Sequence, residues 1–325
     1  MRRWAKRILA TFIVLLVLAG ITGAAYQAIA SRRELATNPP PGELEDIGGY
    51  RLHIWCMGTG SPAVILDTGL SGSLLGWAVV QPEVAKFTRV CSYDRAGMGF
   101  SNPGPSPRTS RRIAGELRQL LDRTALREPV VLVGASFGGY NMRIFASEYP
   151  DRSAGLVLVD GSHEDQEARY AAVGVPEEGI WYARAVPLAA FFGVMRLAGN
   201  SLGDADELPP ALRRYAHIGS RTSAWRTAAD EYLHLRQSAA EVRATRDQLN
   251  IPLVVLTAGR SDDLPQAQAA WMEMQRDLVS LSPLGCQIIA ERAHHRMGLD
   301  APEVVVRAIR VVVEAARTGG GKPAC

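Results

Sequence analysis

An apolar run, Val130–Val133, ends on Gly134-Ala135-Ser136-Phe137-Gly138-Gly139, and a segment of helical character follows directly and stops before Pro150. No other feature restricts the chain as much. A serine at a sharp strand-to-helix turn has its backbone strained and its neighbours crowded. The positions two before and two after it must then be almost free of side chain. Gly134 and Gly138 meet that requirement. Such a turn exposes the hydroxyl, which becomes a useful nucleophile only when a base stands beside it. The bland alternative is a glycine-rich turn without chemistry. The strand before and the helix after argue against it.

The rest of the chain alternates in the same way. Leu44–Ile47 and Tyr50–Cys56 flank Gly48-Gly49 and read as a hairpin. Short apolar runs follow at Ala63–Asp67, Arg89–Tyr93, Val130–Val133 and Gly155–Val159, with helical spacing at Trp77–Phe87 and Arg108–Arg127. Strand-length runs separated by helix-length segments predict an α/β fold, a mostly parallel sheet of about eight strands with helices on both faces. The alternation halts over residues 163–250, which hold eight aromatics among helical spacings and no convincing strand. It resumes with Leu253–Leu256, a helix over about 266–281, Cys286–Ala290 and a last helix over 302–316. The predicted organisation is a core in two parts, 44–162 and 251–317, interrupted by a helical lid at 163–250. An independent second domain in the lid's place is the alternative. Residues 34–43, with Pro39-Pro40-Pro41, form a stiff linker. Residues 318–325 form a tail expected to fray.

Ile8 to Ala30 carries no charge. As a helix these 23 residues would reach roughly 34 Å, enough to cross a hydrocarbon core. Arg2, Arg3, Lys6 and Arg7 precede it and Arg32 and Arg33 follow it, so the larger positive cluster should stay in the cytoplasm and the body outside. Residues 1–33 thus read as a membrane anchor. The competing reading is a signal cleaved after Ala28-Ile29-Ala30, which would secrete the body. The six basic residues of this segment also account for the net charge of +3, since the body keeps 30 basic residues against 33 acidic ones. No basic stripe runs through the folded part, and nucleic acid is excluded as a partner. Cys56, Cys91, Cys286 and Cys325 show no metal-ligand spacing, and no metal or cofactor is expected. An oxidising compartment would permit disulfides.

With the Ser136 turn in place, the chain from about residue 44 to 316 resembles the α/β-hydrolase superfamily, in its serine-nucleophile branch and in a membrane-anchored bacterial form. Three further stretches carry the resemblance. Asp67-Thr68-Gly69-Leu70 follows a strand where that family places its oxyanion loop, although Asp67-Thr68 replaces the commoner apolar-His pair. The resemblance implies that the main-chain N–H groups of Leu70 and Phe137 face a developing oxyanion. Asp94-Arg95-Ala96-Gly97-Met98-Gly99 is similar to the loop after the family's fourth strand, where Asp94 and Arg95 would pin neighbouring loops. His295 precedes Asp300 by five residues and Pro302 by seven, the family's spacing for its catalytic base; His294 does not fit it.

The acid that orients His295 is open among three residues. Asp262 follows Gly259 at the usual spacing and ranks first. Asp160 ends the preceding strand, an alternative position in the superfamily, and Asp263 is adjacent to Asp262. The resemblance also brings the strands of Cys56 and Cys91 close together, so that these two cysteines would pair. A serine at position 136 excludes the haloalkane dehalogenase and epoxide hydrolase chemistries of this fold, which use a carboxylate nucleophile. The reaction implied is hydrolysis of a carboxylic ester through an acyl-enzyme. The alternatives are an amide or peptide substrate, as in proline iminopeptidase-type relatives, and a catalytically silent binding protein.

Overall fold

The computed structural model describes residues 2–175, 180–199, 202, 206, 208–246, 248–260 and 264–325. A single helix, α1 (Arg2–Thr37), leads into β1 (Glu43–Asp46) and β2 (Arg51–Met57), which pair antiparallel across Gly48-Gly49. β3 (Val64–Asp67), a 3-10 turn at Leu74–Trp77, α2 (Val80–Val84) and β4 (Val90–Asp94) come next. The single helix expected over Trp77–Phe87 is therefore two short pieces. Pro82 lacks an N–H and is tolerated in the first turn of α2, which begins at Val80.

Then follow α3 (Ser110–Arg123), β5 (Val130–Ala135), α4 (Gly138–Glu148) and β6 (Ser153–Val159). Between β6 and β7 the described residues are helical or irregular: α5 (Gln166–Ala172), α6 (Trp181–Phe191), α7 (Val194–Leu197), a 3-10 stretch at Arg213–Ser220, α8 (Thr222–Leu233) and α9 (Leu235–Ala244). The chain ends with β7 (Leu253–Ala258), α10 (Pro265–Val279), β8 (Gly285–Ala290), α11 (Met297–Asp300) and α12 (Pro302–Arg317).

The eight strands form one sheet in the order β1-β2-β4-β3-β5-β6-β7-β8. All pairs from β4 onward are parallel. A parallel strand buried on both faces needs apolar residues at nearly every position, and β3, β5, β6 and β7 read that way. Their side chains feed two cores. Ile65, Leu132, Leu156 and Val255 face Ile113, Leu117 and Phe145 on one side; Leu66, Val133, Val157 and Leu256 face Val305, Ile309 and Val313 on the other. Strand β5 is central, so the turn at its carboxyl end is held on every side.

Cys56 and Cys91 are direct cross-strand partners in β2 and β4, with Cα atoms 4.0 Å apart, and they form a disulfide. Cys286 of β8 is bonded to Cys325. The tail expected to fray at 318–325 is thus tied back to the edge strand. The expectation read Gly319–Gly321 locally and had no means of pairing the last cysteine.

Candidate active site

Ser136 sits between β5 and α4 with φ +48°, in the left-handed region that residues other than glycine rarely enter. The surrounding backbone holds it there. Its N–H donates to Val159 O at 3.1 Å, and its carbonyl accepts from Gly139 N at 2.9 Å and Ser162 N at 3.0 Å. The flanking glycines are needed for the reason read from the sequence. A Cβ at Gly138 would lie 2.7 Å from Thr68 O, and one at Gly134 would strike Gly138 O. Ser136 itself is half-buried.

The loop after β3 runs beside this turn. A Cβ on Gly69 would come within 3.3 Å of Ser136 Cβ, so Leu70 stands next to Ser136. Among the described residues, neither the Leu70 N–H nor the Phe137 N–H has an intramolecular acceptor. Two unspent donors beside a serine hydroxyl form the arrangement that an oxyanion requires.

Arg95 holds that loop from below. It is fully buried and donates to Asp67 Oδ1 at 2.6 Å, Thr68 O at 2.9 Å, Gly69 O at 2.8 Å and Glu231 Oε1 at 2.7 Å. Burial would lower the pKa of its guanidinium, but Glu231 and Asp67 outweigh burial and raise it, so the charge is kept. Glu231 Oε2 also accepts the N–H of Ser71 at 3.2 Å. Asp67 is completed by Asn141 Nδ2 at 2.7 Å. Asp94 does similar work one residue earlier, accepting from Leu74 N, Phe100 N and His53 Nδ1 at 2.9–3.0 Å. Their pinning role was anticipated. Glu231 was not, because it lies 136 residues from Arg95, on α8 of the insertion, and no local pattern marks it.

His295 follows β8 in the turn before α11 and is half exposed. Its Nδ1 meets Asp160 Oδ2 at 2.6 Å. Of the three acids left open by the sequence, Asp160 is the one the described residues place at His295; Asp262, ranked first, and Asp263 lie outside the described residues. Asp160 follows β6 with φ +46°, and its N–H donates to Leu256 O at 2.7 Å. Its second oxygen, Oδ1, accepts Ala258 N at 3.0 Å and Trp271 Nε1 at 2.8 Å. The Trp271 ring also stands edge-on to His295, centroids 6.0 Å apart. Trp271 escaped the sequence reading because one tryptophan in an amphipathic helix looks like core.

Ser136, His295, Thr68, Gly69 and Leu70 line one cavity of about 600 Å³, whose wall is mostly apolar and includes Leu75, Trp77, Val159, Met297 and Leu299, with Ser71, Ser73 and Arg296 as its other polar members. Among the described residues no group of three His, Cys, Asp or Glu could hold a metal ion.

A family model described as the alpha/beta hydrolase fold matches residues 62–190, which contain the Ser136 turn and the loops of Gly69 and Arg95. Over that stretch the chain matches the α/β-hydrolase family, and its eight-stranded sheet has the α/β-hydrolase fold. Among solved structures, the chain superposes on an enol-lactonase from Burkholderia xenovorans with a TM-score of 0.57 at 17% identity, covering 82% of this chain and 98% of that one. It superposes on a thermophilic esterase from Thermogutta terrifontis with a TM-score of 0.53 at 23% identity, covering 82% and 94%. At such identities the likeness is one of fold. A curated relative, the uncharacterized protein YqjL of Bacillus subtilis, is 22% identical over 252 residues, 78% of this chain and 83% of its own. Two further curated relatives, a probable transporter of Hormonema carpetanum and a vacuolar membrane protein of Saccharomyces cerevisiae, are matched over only 21% of their own length.

Proposed function

We propose that this α/β hydrolase cleaves carboxylic esters through a serine acyl-enzyme. The observation that carries the reading is the meeting, in one cavity, of a serine on a strained turn, the Leu70 loop and a histidine whose Nδ1 is bonded to a buried carboxylate, with the Leu70 and Phe137 N–H groups lacking acceptors among the described residues. Ser136 Oγ attacks the ester carbonyl while His295 Nε2 takes its proton. Asp160 holds the proton on Nδ1 and offsets the charge of the imidazolium that forms. The N–H groups of Leu70 and Phe137 donate to the oxyanion. His295 returns the proton to the departing alcohol. Water then attacks the acyl-Ser136 with His295 again as base, so ester and water yield acid and alcohol.

The test is covalent labelling by a fluorophosphonate, with turnover of p-nitrophenyl esters. The folded wild-type protein should be labelled on Ser136 and should turn over esters, and Ser136→Ala should do neither. Undiminished esterase activity in folded Ser136→Ala would overturn the assignment. A wild-type protein that neither labels nor turns over would favour a silent binding protein.

We also propose that α1 remains attached and holds the body outside the cytoplasm. α1 is apolar, with a mean hydropathy of 2.5 over its best window, and that window is unburied. Its later part packs on the body, where Gln27 is buried and donates to Ser220 O at 2.8 Å. A signal destined for cleavage after Ala30 has no reason to make that contact. The two disulfides agree with an oxidising location. N-terminal sequencing of the membrane fraction tests this reading, and a chain beginning at Ser31 would refute it.

A further inference from the structure

The insertion carries a band of exposed apolar side chains in α6 and α7. Leu188, Phe191, Val194 and Leu197 are 41–71% exposed, and Trp181 is 74% exposed. In an aqueous setting this would be a liability. The band stands directly beside α1. Added Cβ atoms on Gly20 and Gly23 would both meet Phe192, so these glycines let the turn after α6 approach the helix backbone closely.

Depth along α1 follows from its rise. If hydrocarbon begins after Arg7, roughly 20 helical residues cross the roughly 30 Å core and bring its far boundary to about Gln27. Polar contacts begin at that level. Arg196 donates to Gln27 Oε1 at 2.8 Å and to Ser31 Oγ at 3.2 Å, and it pairs with Glu34. Gly20 and Gly23, with Phe192 against them, fall roughly 6–10 Å below the boundary by the same rise. Residues 180–199 hold no acid, and with Arg196 committed to α1, Arg184 is the charge of that stretch left to suit the phosphates of a leaflet surface.

Resting on the anchor and esterase readings above, we propose that α6 and α7 are seated in the leaflet on the body's side of the membrane, and that the cavity draws its substrate from that leaflet, an ester bearing a long acyl chain. The wall between helix and cavity supports the second half. Ala216, in the 3-10 stretch that packs against α1, lines the cavity. Leu35 of α1 packs on the cluster that includes Leu75 and Leu208, which line it too. The cavity's apolar lining and size accommodate an extended hydrocarbon group.

The experiment uses the full chain in nanodiscs of phosphatidylcholine and phosphatidylglycerol. All four native cysteines are in disulfides, so Leu188→Cys and Leu197→Cys can each be labelled with a nitroxide, with Glu303→Cys as a site on the body. The two insertion labels should collide more with dissolved oxygen than with a water-soluble nickel chelate, and the Glu303 label should show the reverse. Chelate dominating at Leu188 and Leu197 would overturn the seating. The double variant Leu188→Glu/Leu197→Glu should lose at least tenfold in hydrolysis of a palmitoyl ester carried in the disc and keep its rate on dissolved p-nitrophenyl acetate. Equal rates with wild type on the palmitoyl ester, or equal losses on both esters, would overturn substrate entry from the leaflet. If the wild-type enzyme hydrolyses neither ester, the esterase reading falls, and the label depths still decide the seating.

Discussion

Replacing Asp160 by asparagine reverses the tautomer of His295 and leaves the fold in place. Asp160 Oδ1 accepts two hydrogen bonds, from Ala258 N and Trp271 Nε1, and Oδ2 accepts the third, from His295 Nδ1. An asparagine has one acceptor oxygen and one amide nitrogen. If its oxygen keeps the two donors, the nitrogen faces His295 Nδ1, which must then be unprotonated, and the ring carries its proton on Nε2. A ring in that state cannot take the proton of Ser136. Flipping the amide restores the tautomer but turns N–H groups against two N–H donors, a loss of two buried hydrogen bonds or roughly 2–6 kcal/mol. Both arrangements therefore suppress the reaction. Neutralising a triad acid costs on the order of 10⁴ in kcat, which corresponds to about 5.4 kcal/mol at the transition state. The left-handed backbone at residue 160 accepts asparagine as readily as aspartate, so unfolding midpoints should stay close to wild type. The assay is kcat on p-nitrophenyl butyrate with a parallel thermal melt, for Asp160→Asn and for Asp262→Asn. A near-normal Asp160→Asn enzyme beside a dead Asp262→Asn enzyme would return the acid to the position first ranked by spacing.

His295→Ala should be nearly as inactive as Ser136→Ala and His294→Ala only mildly affected, read as kcat/KM on the same ester; the opposite order would mean a register error of one residue. Glu231→Ala leaves the buried Arg95 with Asp67 as its remaining carboxylate, and such a loss costs about 3–5 kcal/mol. Urea unfolding reads that change directly, and a cost below about 1 kcal/mol would mean the pair is not held as described. Trp271→Phe removes one of the three hydrogen bonds to Asp160 and keeps most of the ring packing, so kcat should fall by about tenfold, from about 1–1.5 kcal/mol; an unchanged kcat would remove Trp271 from the site. At the base of the insertion, burial pushes the His163 imidazole below its ordinary pKa. The Glu164 carboxyl is held well below the usual range, because the guanidinium of Arg143 outweighs a burial that alone would raise it. Both groups bind protons less tightly folded than unfolded, so stability is full above about pH 6.5. It declines as pH falls through the imidazole range and further below about pH 4.5. Thermal melts from pH 8 to 4 check this, and a midpoint that rises on acidification would contradict it.

How much could be read without the fold depends on whether the causes are local. The Ser136 turn is local: two glycines and a strand-helix boundary suffice, because the crowding they relieve comes from residues within a few positions and from one adjoining loop. The buried strands are local too, since a parallel strand covered on both faces shows as an unbroken apolar run. The apolar helix over residues 8–30 is legible from length and hydropathy alone. The cross-strand pair Cys56–Cys91 lay within reach once the family likeness set the strand neighbours.

The acid was undecidable by spacing. Asp160 and Asp262 both follow strands at the carboxyl edge of the sheet, and chain order admits either. The left-handed turn after β6, the Ala258 amide and the Trp271 indole aim Asp160 at His295, and these groups come from three elements over more than a hundred residues. Glu231 and Trp271 are invisible for the same reason: a carboxylate or a tryptophan in an amphipathic helix acquires its role only when packing chooses its neighbour. The Cys286–Cys325 bond needed the tail to return to the sheet edge. The closeness of α6 and α7 to α1 needed glycines in an apolar helix to meet Phe192, 169 residues beyond Gly23. Sequence patterns determine what a segment becomes, because hydrogen bonding and burial within a segment repeat over a few residues. Which distant segment it faces is decided by packing the whole chain.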